Sequence, residues 1–147
     1  MRAITVRQPW AWAIIHGGKD VENRSRNIAG AYRGPVAIHA GLGLSGEAWA
    51  DQQFRSIAFT SLRVEADVWA SPRGAIIGVV DLANVHNHER SRPNSPRRLI
   101  PEFCSAWALP DHHHLILRNP RPLAAPIPYK GALGLWTLPD DVLAGVR

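Results

Sequence analysis

The segment Ala75-Ile76-Ile77-Gly78-Val79-Val80-Asp81-Leu82 carries one charge in eight residues. Side chains alternate between the two faces of a strand, so a run that is apolar at both parities must be covered on both sides. It predicts a central strand with packed layers above and below. Gly78 inside the run predicts a bulge or a tight bend. With 147 residues, 46% of them apolar and 20% charged, the chain has the make-up of a single globular domain spanning 1–147.

The remaining elements read as short. Ala3-Ile4-Thr5-Val6 is a β-branched run and the expected first strand. Pro9 suits the first turn of a helix and Gly17 or Gly18 its stop, with apolar residues most of the way round, so this helix is expected to be buried. Val21 to Ser25 reads as a strand with Glu22, Arg24 and Arg26 on one face. Val36 to Ala40 reads as another, closed by Gly41 and Gly43. Ser45 is placed as an N-cap, with Leu44 stapled on Trp49, of a helix running from Gly46 into the 60s. Its expected inner face is Trp49, Phe54, Ile57, Ala58 and Leu62. Ser71-Pro72-Arg73-Gly74 breaks the chain. Asn84 to Pro101 reads as a loop, with Arg90, Arg92, Arg97 and Arg98 set among prolines. Leu115-Ile116-Leu117 and Gly131 to Leu138 are the expected last strands, joined by a stretch holding Pro120, Pro122, Pro126 and Pro128. About six short strands with flanking helices, mostly not alternating, predict an α+β fold: a small β-barrel or a strongly bent sheet.

The formal charge is +5 and the sequence pI is about 10.3, which favours a polyanionic partner such as nucleic acid. Of the 17 basic residues, 15 are Arg; the lysines are Lys19 and Lys130. Arg keeps its proton near neutral pH, whereas a desolvated lysine can release one. Lys19 opens a knot with Asp20, Glu22, Arg24 and Arg26 whose net charge is only +1. A plain basic patch would not mix signs this way. No apolar run reaches the roughly 18 residues of a membrane span, and the start of the chain lacks a signal-peptide core. A single cysteine, Cys104, excludes an internal disulfide and a Cys-rich metal site, so the cytoplasm is the expected compartment. It has no recognisable base partner and is read as core. In His112-His113-His114 only the outer two share a face of an extended chain, with no third ligand in view. His86 and His88 fare no better, so neither a metal nor a cofactor is expected.

Five pieces resemble a known family. They are Gln8-Pro9-Trp10; Gly17-x-Lys19-x-x-Glu22-x-Arg24; Gly34-Pro35-Val36-Ala37-Ile38-His39-Ala40; Gly74-Ala75-Ile76-Ile77-Gly78-Val79-Val80; and Pro128-Tyr129-Lys130-Gly131 with Gly134-Leu135-Trp136. In this order they resemble the ASCH domain of the PUA-like superfamily. The resemblance implies a small PUA-like β-barrel with a cleft beside the first helix. It also implies binding of RNA, single-stranded DNA or a nucleotide through Gln8, Trp10, Lys19, Glu22, Asn23, Arg24, Arg26, His39 and Lys130. Lys19 and Glu22 would be the catalytic pair if the domain turns a substrate over. One branch of the family deacetylates acetylcytidine nucleosides, and ribonuclease activity belongs to the family as well. In the deacetylating branch a threonine stands three residues after the lysine; here that position is Glu22. A glutamate cannot replace a hydroxyl in direct acyl transfer, although it can activate a water.

Bland readings stand beside these. Spacing alone makes Lys19, Glu22 and Arg24 a surface ion-pair ladder. Trp12 is expected in the core, and Trp10 either in the core or offering a stacking face to a base. His39 is as well read as a structural histidine. Three classes of function therefore remain at this point: a nucleic-acid-binding module, a hydrolase acting on an N-acylated cytidine or on RNA, and a protein-binding accessory domain.

Overall fold

The apolar run at 75–82 is the first part of a longer strand at the middle of one sheet. The computed structural model describes residues 1–60, 69–87 and 104–146. In chain order the elements are β1 (Arg2–Gln8), α1 (Trp10–His16), β2 (Val21–Arg24), β3 (Gly34–Leu44), a 3-10 helix (Gly46–Ala50), α2 (Gln52–Thr60), β4 (Ala75–Asn87), β5 (His113–Pro128), β6 (Leu135–Thr137) and α3 (Asp140–Val146). The sheet order is β2-β5-β4-β3-β1-β6. β1 runs parallel to β3, and every other pair is antiparallel. The chain is thus α+β with a six-stranded mixed sheet. No pairing among the described residues closes β2 onto β6, so the sheet is open rather than a closed barrel.

Both faces of β4 are covered, as its composition requires. Ile77, Val80 and Leu82 pack with Ile4, Val6, Val36, Ile38, Leu115 and Leu117 under Ala11, Ile14 and Ile15 of α1. Ile76 and Val79 pack on the other face with Ala3, Ala37 and the C-terminal residues Leu138, Val142 and Val146. Burying each Ile of α1 contributes about 1.5–3 kcal/mol relative to exposure, ample for a helix too short to hold itself in water. Gly78 sits where the β4–β5 register slips, and a Cβ there would stand 2.5 Å from Ile15 Cδ1 and 2.8 Å from the Arg121 carbonyl. The predicted irregularity is therefore also a point of close approach between helix and sheet.

Several boundaries differ from expectation. β3 continues through Gly41 and Gly43 to Leu44, and β4 extends to Asn87, into the stretch expected as loop. β5 runs straight through the proline-rich stretch to Pro128. Beyond Ile116, β5 has β4 on one edge and no strand on the other among the described residues, so proline on the open side forfeits no ladder bond. β6 is only three residues, and α3 was not foreseen. The expected long helix is broken: Asp51 is extended (φ −75°, ψ 124°), and its carboxylate accepts the Phe54 N–H at 2.8 Å, capping α2 in place of Ser45. Phe54 is buried as expected, while Leu44 and Trp49 are half-exposed. Trp49 still meets Phe54 and Trp69 edge-on, at 5.4 and 5.8 Å between ring centroids. Leu62 lies outside the described residues, as do His88, Glu89, Arg90, Arg92, Arg97 and Arg98. No helix among the described residues is long and apolar enough to cross a membrane.

Candidate functional site

The turn from β1 into α1 is fixed by Gln8, which is 0% exposed. Its Nε2 donates to the Pro72 carbonyl at 3.0 Å, and its Oε1 accepts the Trp12 N–H at 2.9 Å. One of the orphan donors at the helix start is thereby satisfied, and the helix is tied to the turn before β4. One N–H and the oxygen of this amide are thus engaged by backbone, which makes Gln8 a support of the turn.

At the other end of α1 the chain turns back through Gly18, whose φ of 72° favours glycine. The Lys19 N–H donates to the Ala13 carbonyl at 3.0 Å. That turn drives the Lys19 side chain inward, where it is only 5% exposed, and Glu22 is 8% exposed. Lys19 Nζ donates to Glu22 Oε2 at 3.0 Å and to the Val21 carbonyl, and it stands 5.7 Å from the Trp10 ring centroid. Arg24 Nη2 meets Glu22 Oε1 at 3.2 Å and donates to the Thr5 carbonyl at 2.9 Å. Each oxygen of Glu22 thus faces its own cation. The surface-ladder reading does not hold for Lys19 and Glu22, which are buried.

Beside this chain opens a cleft of ≈ 860 Å³ that reaches Trp10, Glu22, Asn23, Arg24, His39 and Lys130. A second lobe of ≈ 390 Å³ includes Lys19 and shares Trp10, Glu22, Asn23 and Glu47 with the first. Across both lobes the formal charges are Arg7, Lys19, Arg24 and Lys130 against Glu22, Glu47 and Asp51: four minus three, or +1. The lining is mixed in sign rather than strongly basic. The Arg7 and Lys130 side chains are exposed and make no ion pair or hydrogen bond among the described residues.

His39 is 2% exposed in the wall of the larger lobe. The Tyr129 carbonyl, 2.9 Å from Nε2, can only accept, so Nε2 carries the proton and Nδ1 of the neutral ring is an acceptor. That Nδ1 is buried without a partner, and so is the donor Arg24 Nε. Gly131 lies against the same ring edge, where a Cβ would stand 2.7 Å from Nδ1. Trp136 meets His39 edge-on and stacks on Tyr129, the two planes 10° apart.

Trp10 belongs to both readings offered for it. It packs edge-on against Phe54 and Trp107, yet it lines both lobes. Trp12 is core, as expected. Asn23 lines both lobes, and part of its amide also bonds to backbone. Nδ2 donates to the Trp107 carbonyl and Oδ1 accepts the Leu109 N–H, each at 2.9 Å, which pins the 107–109 segment. Arg26 is exposed beyond the end of β2 and lines neither lobe. Sequence reasoning missed Arg7, Glu47, Tyr129 and Trp107. Arg7 was within reach of it, since it falls just before Gln8-Pro9-Trp10 at the end of the first strand. A model of the ASCH domain matches residues 4–102, more than half of the chain.

The chain belongs to the ASCH domain family. ASCH domains are PUA-like, which is consistent with RNA binding in general. The matched part carries α1, Lys19, Glu22, Arg24 and His39, whereas Tyr129, Lys130 and Gly131 come from beyond it. The histidine run of this ASCH domain divides. His112 lines the smaller lobe, and its Nδ1 donates to the Pro110 carbonyl at 2.7 Å. His114 is buried on β5 directly opposite His86 of β4 and beside Cys104. Cys104 is thus exposed beside a histidine, not a core residue. Its partial burial first, and then the charge of Asp20, hold its thiol above the ordinary range.

Proposed function

We propose that this ASCH domain binds single-stranded RNA or DNA by seating one nucleotide in the cleft between Trp10, Arg24, His39 and Lys130. The observation that carries this reading is the pair of orphaned buried atoms, the donor Arg24 Nε and the acceptor His39 Nδ1, on residues of one cleft wall. Leaving such atoms unpaired costs about 1–3 kcal/mol each, a cost that a ligand bearing both an acceptor and a donor offsets. The edge of a nucleobase is such a ligand. A mixed-sign lining suits a base and its phosphate together better than a lone phosphate. The free cations Arg7 and Lys130 supply phosphate contacts, and Trp10 supplies an aromatic surface. The cleft volume lies within the range of small-molecule sites.

A second reading, a hydrolase acting on an N-acylated cytidine, is favoured by one observation: the buried Lys19–Glu22 pair beside the cleft. Glu22 would activate water toward the acyl carbonyl, Lys19 would stabilise the oxyanion, and the cytosine amine would leave with the proton. It ranks second because both Glu22 oxygens already face cations, so an attacking water has to compete with Lys19 and Arg24 for the carboxylate. Nothing among the described residues favours a metal-dependent ribonuclease, which needs carboxylates gathered at metal-ligand spacing.

The test is a titration of short single-stranded RNA and DNA and of acetylated and plain cytidine, with mass spectrometry for turnover. Binding of single strands that falls with salt, at a log–log slope of about −0.7 per phosphate contact, is the expected result. Arg7→Ala and Lys130→Ala should each flatten the slope by about one such contact. No binding at low salt overturns the module reading. Loss of the acetyl group from acetylcytidine, abolished in Glu22→Gln, would put the hydrolase first.

A further inference from the structure

We propose that His86, Cys104 and His114 form a zinc site that braces the wall of the cleft. The three residues come from three different places: β4, the segment leading into β5, and β5 itself. One ligand atom from each lies within 4.8 Å of the other two. Cys104 Sγ and His86 Nε2 each stand 3.4 Å from His114 Nδ1. A tetrahedral zinc with bonds of about 2.3 Å to sulfur and about 2.05 Å to nitrogen needs ligand separations of roughly 3.3–3.6 Å. Two of the three edges already have that length. The third requires a rotation of the exposed Cys104 side chain to shorten the distance to His86.

The orientation of His114 points the same way. It is 1% exposed, and its Nε2 faces the Leu109 carbonyl at 2.6 Å. A carbonyl only accepts, so Nε2 holds the proton and the Nδ1 lone pair faces Cys104 and His86. Zinc-bound histidines are ordinarily fixed in this manner, by donating the far N–H to a carbonyl or carboxylate. No metal is expected from the sequence because no third ligand stands near the histidine run. The fold supplies one by pairing His86 across from His114 and bringing Cys104 alongside. Two histidines and a thiolate leave one position of a tetrahedral ion for water or another ligand. Coordination by the thiolate releases the Cys104 proton to solvent.

A zinc here has a consequence for the cleft. The segment between Cys104 and β5 contributes Trp107, Leu109 and His112 to the smaller lobe. It is held at present by Asn23, by the His114–Leu109 bond and by Ser105 donating to Asp20. The metal adds a tie from this segment to both β4 and β5.

The experiment uses the untagged full chain, stripped of metal and kept reduced, titrated with cobalt(II) and then zinc(II). One equivalent of cobalt should give a sulfur-to-cobalt charge-transfer band that zinc bleaches. Cys104→Ser should abolish the band, and Cys104→Ser and His86→Gln should each weaken zinc binding by at least about 100-fold, more than loss of an outer partner does. His113→Gln, which alters the run but not the trio, should keep wild-type affinity. Circular dichroism confirms folding of each variant. Zinc should also raise the melting temperature of the wild type and not that of Cys104→Ser. Absence of the band at saturating cobalt, or equal losses in His113→Gln and Cys104→Ser, overturns the assignment.

Discussion

Replacing Lys19 by Ala should destabilise this protein by about 3 kcal/mol, far more than loss of a surface lysine. The reasoning starts from burial. Lys19 and Glu22 are 5% and 8% exposed, and Nζ lies 3.0 Å from Oε2. Removing one member of a buried pair costs about 3–5 kcal/mol because the other charge stays behind uncompensated. The lower end applies, since Arg24 still meets Glu22 Oε1 at 3.2 Å. The Val21 carbonyl also loses its side-chain donor, and Trp10 loses a cation near its ring. For a chain of this size about 3 kcal/mol is a fall of roughly 6–12 °C in melting temperature. Urea denaturation followed by circular dichroism measures it, with the slope checked for constancy. The double replacement Lys19→Met with Glu22→Leu should recover part of the loss, because an apolar pair of similar volume often matches a buried ion pair. A loss below about 1 kcal/mol in Lys19→Ala, the range of exposed pairs, would refute the argument and return the triplet to the surface. Lys19→Arg separates stability from recognition. Compared at a temperature where every variant is folded, equal ligand affinity would mean that Lys19 supplies only charge.

Gly131→Ala should lower ligand affinity and cost about 1–3 kcal/mol, because the new Cβ would stand 2.6–2.7 Å from the His39 ring and 2.7 Å from Thr5 Oγ1; calorimetry and urea melts read the two effects. Gln8→Leu should cost about 1–3 kcal/mol for each group it strands, the Trp12 N–H and the Pro72 carbonyl, with little change in affinity once the folded fraction is matched. Asp81 takes bonds from Arg121 and Asn119, and these hold its carboxyl below the ordinary range. A depressed carboxyl contributes stability above its unfolded pKa and loses it as pH falls through the folded value. Asp81→Asn should therefore cost under about 1 kcal/mol at neutral pH, the pair being well exposed, with the cost shrinking below the ordinary carboxylate range and vanishing once pH is below the depressed folded value; melting curves across that range check it. Replacing Arg90, Arg92, Arg97 and Arg98 together should flatten the salt dependence of single-strand binding, and an unchanged slope would make that stretch a linker.

Local rules carried the fold where local chemistry decides it. Two-sided hydrophobicity placed β4 at the centre, and Pro9 with Gly17 or Gly18 bounded α1, the left-handed turn falling at Gly18. They failed where a distant partner decides. Four prolines between 120 and 128 signal a break, yet among the described residues that stretch of β5 has an open edge and tolerates them. The apolar pattern from Gly46 onward reads as one helix, but the Asp51 carboxylate offers the Phe54 N–H a local partner and restarts the helix there. α3 is short and carries few residues from which a period can be read.

For the cleft, the spacing Gly17-x-Lys19-x-x-Glu22-x-Arg24 named the charged chain but not its surroundings. Alternation along a strand says which residues share a face; it does not say whether that face meets water. Burial of Glu22 comes from Lys19 folding back after Gly18 and from the 107–109 segment laid across β2, contacts between residues up to 86 positions apart. The same long-range closure engages one N–H and the oxygen of each amide, Gln8 and Asn23, with backbone. It leaves His39 Nδ1 and Arg24 Nε unfilled. Two amides bonded to backbone, and two buried nitrogens with no partner among the described residues, lie around the same helix and cleft and are not alike. The first pair holds the walls in place, and the second pair is what the proposed nucleotide would satisfy.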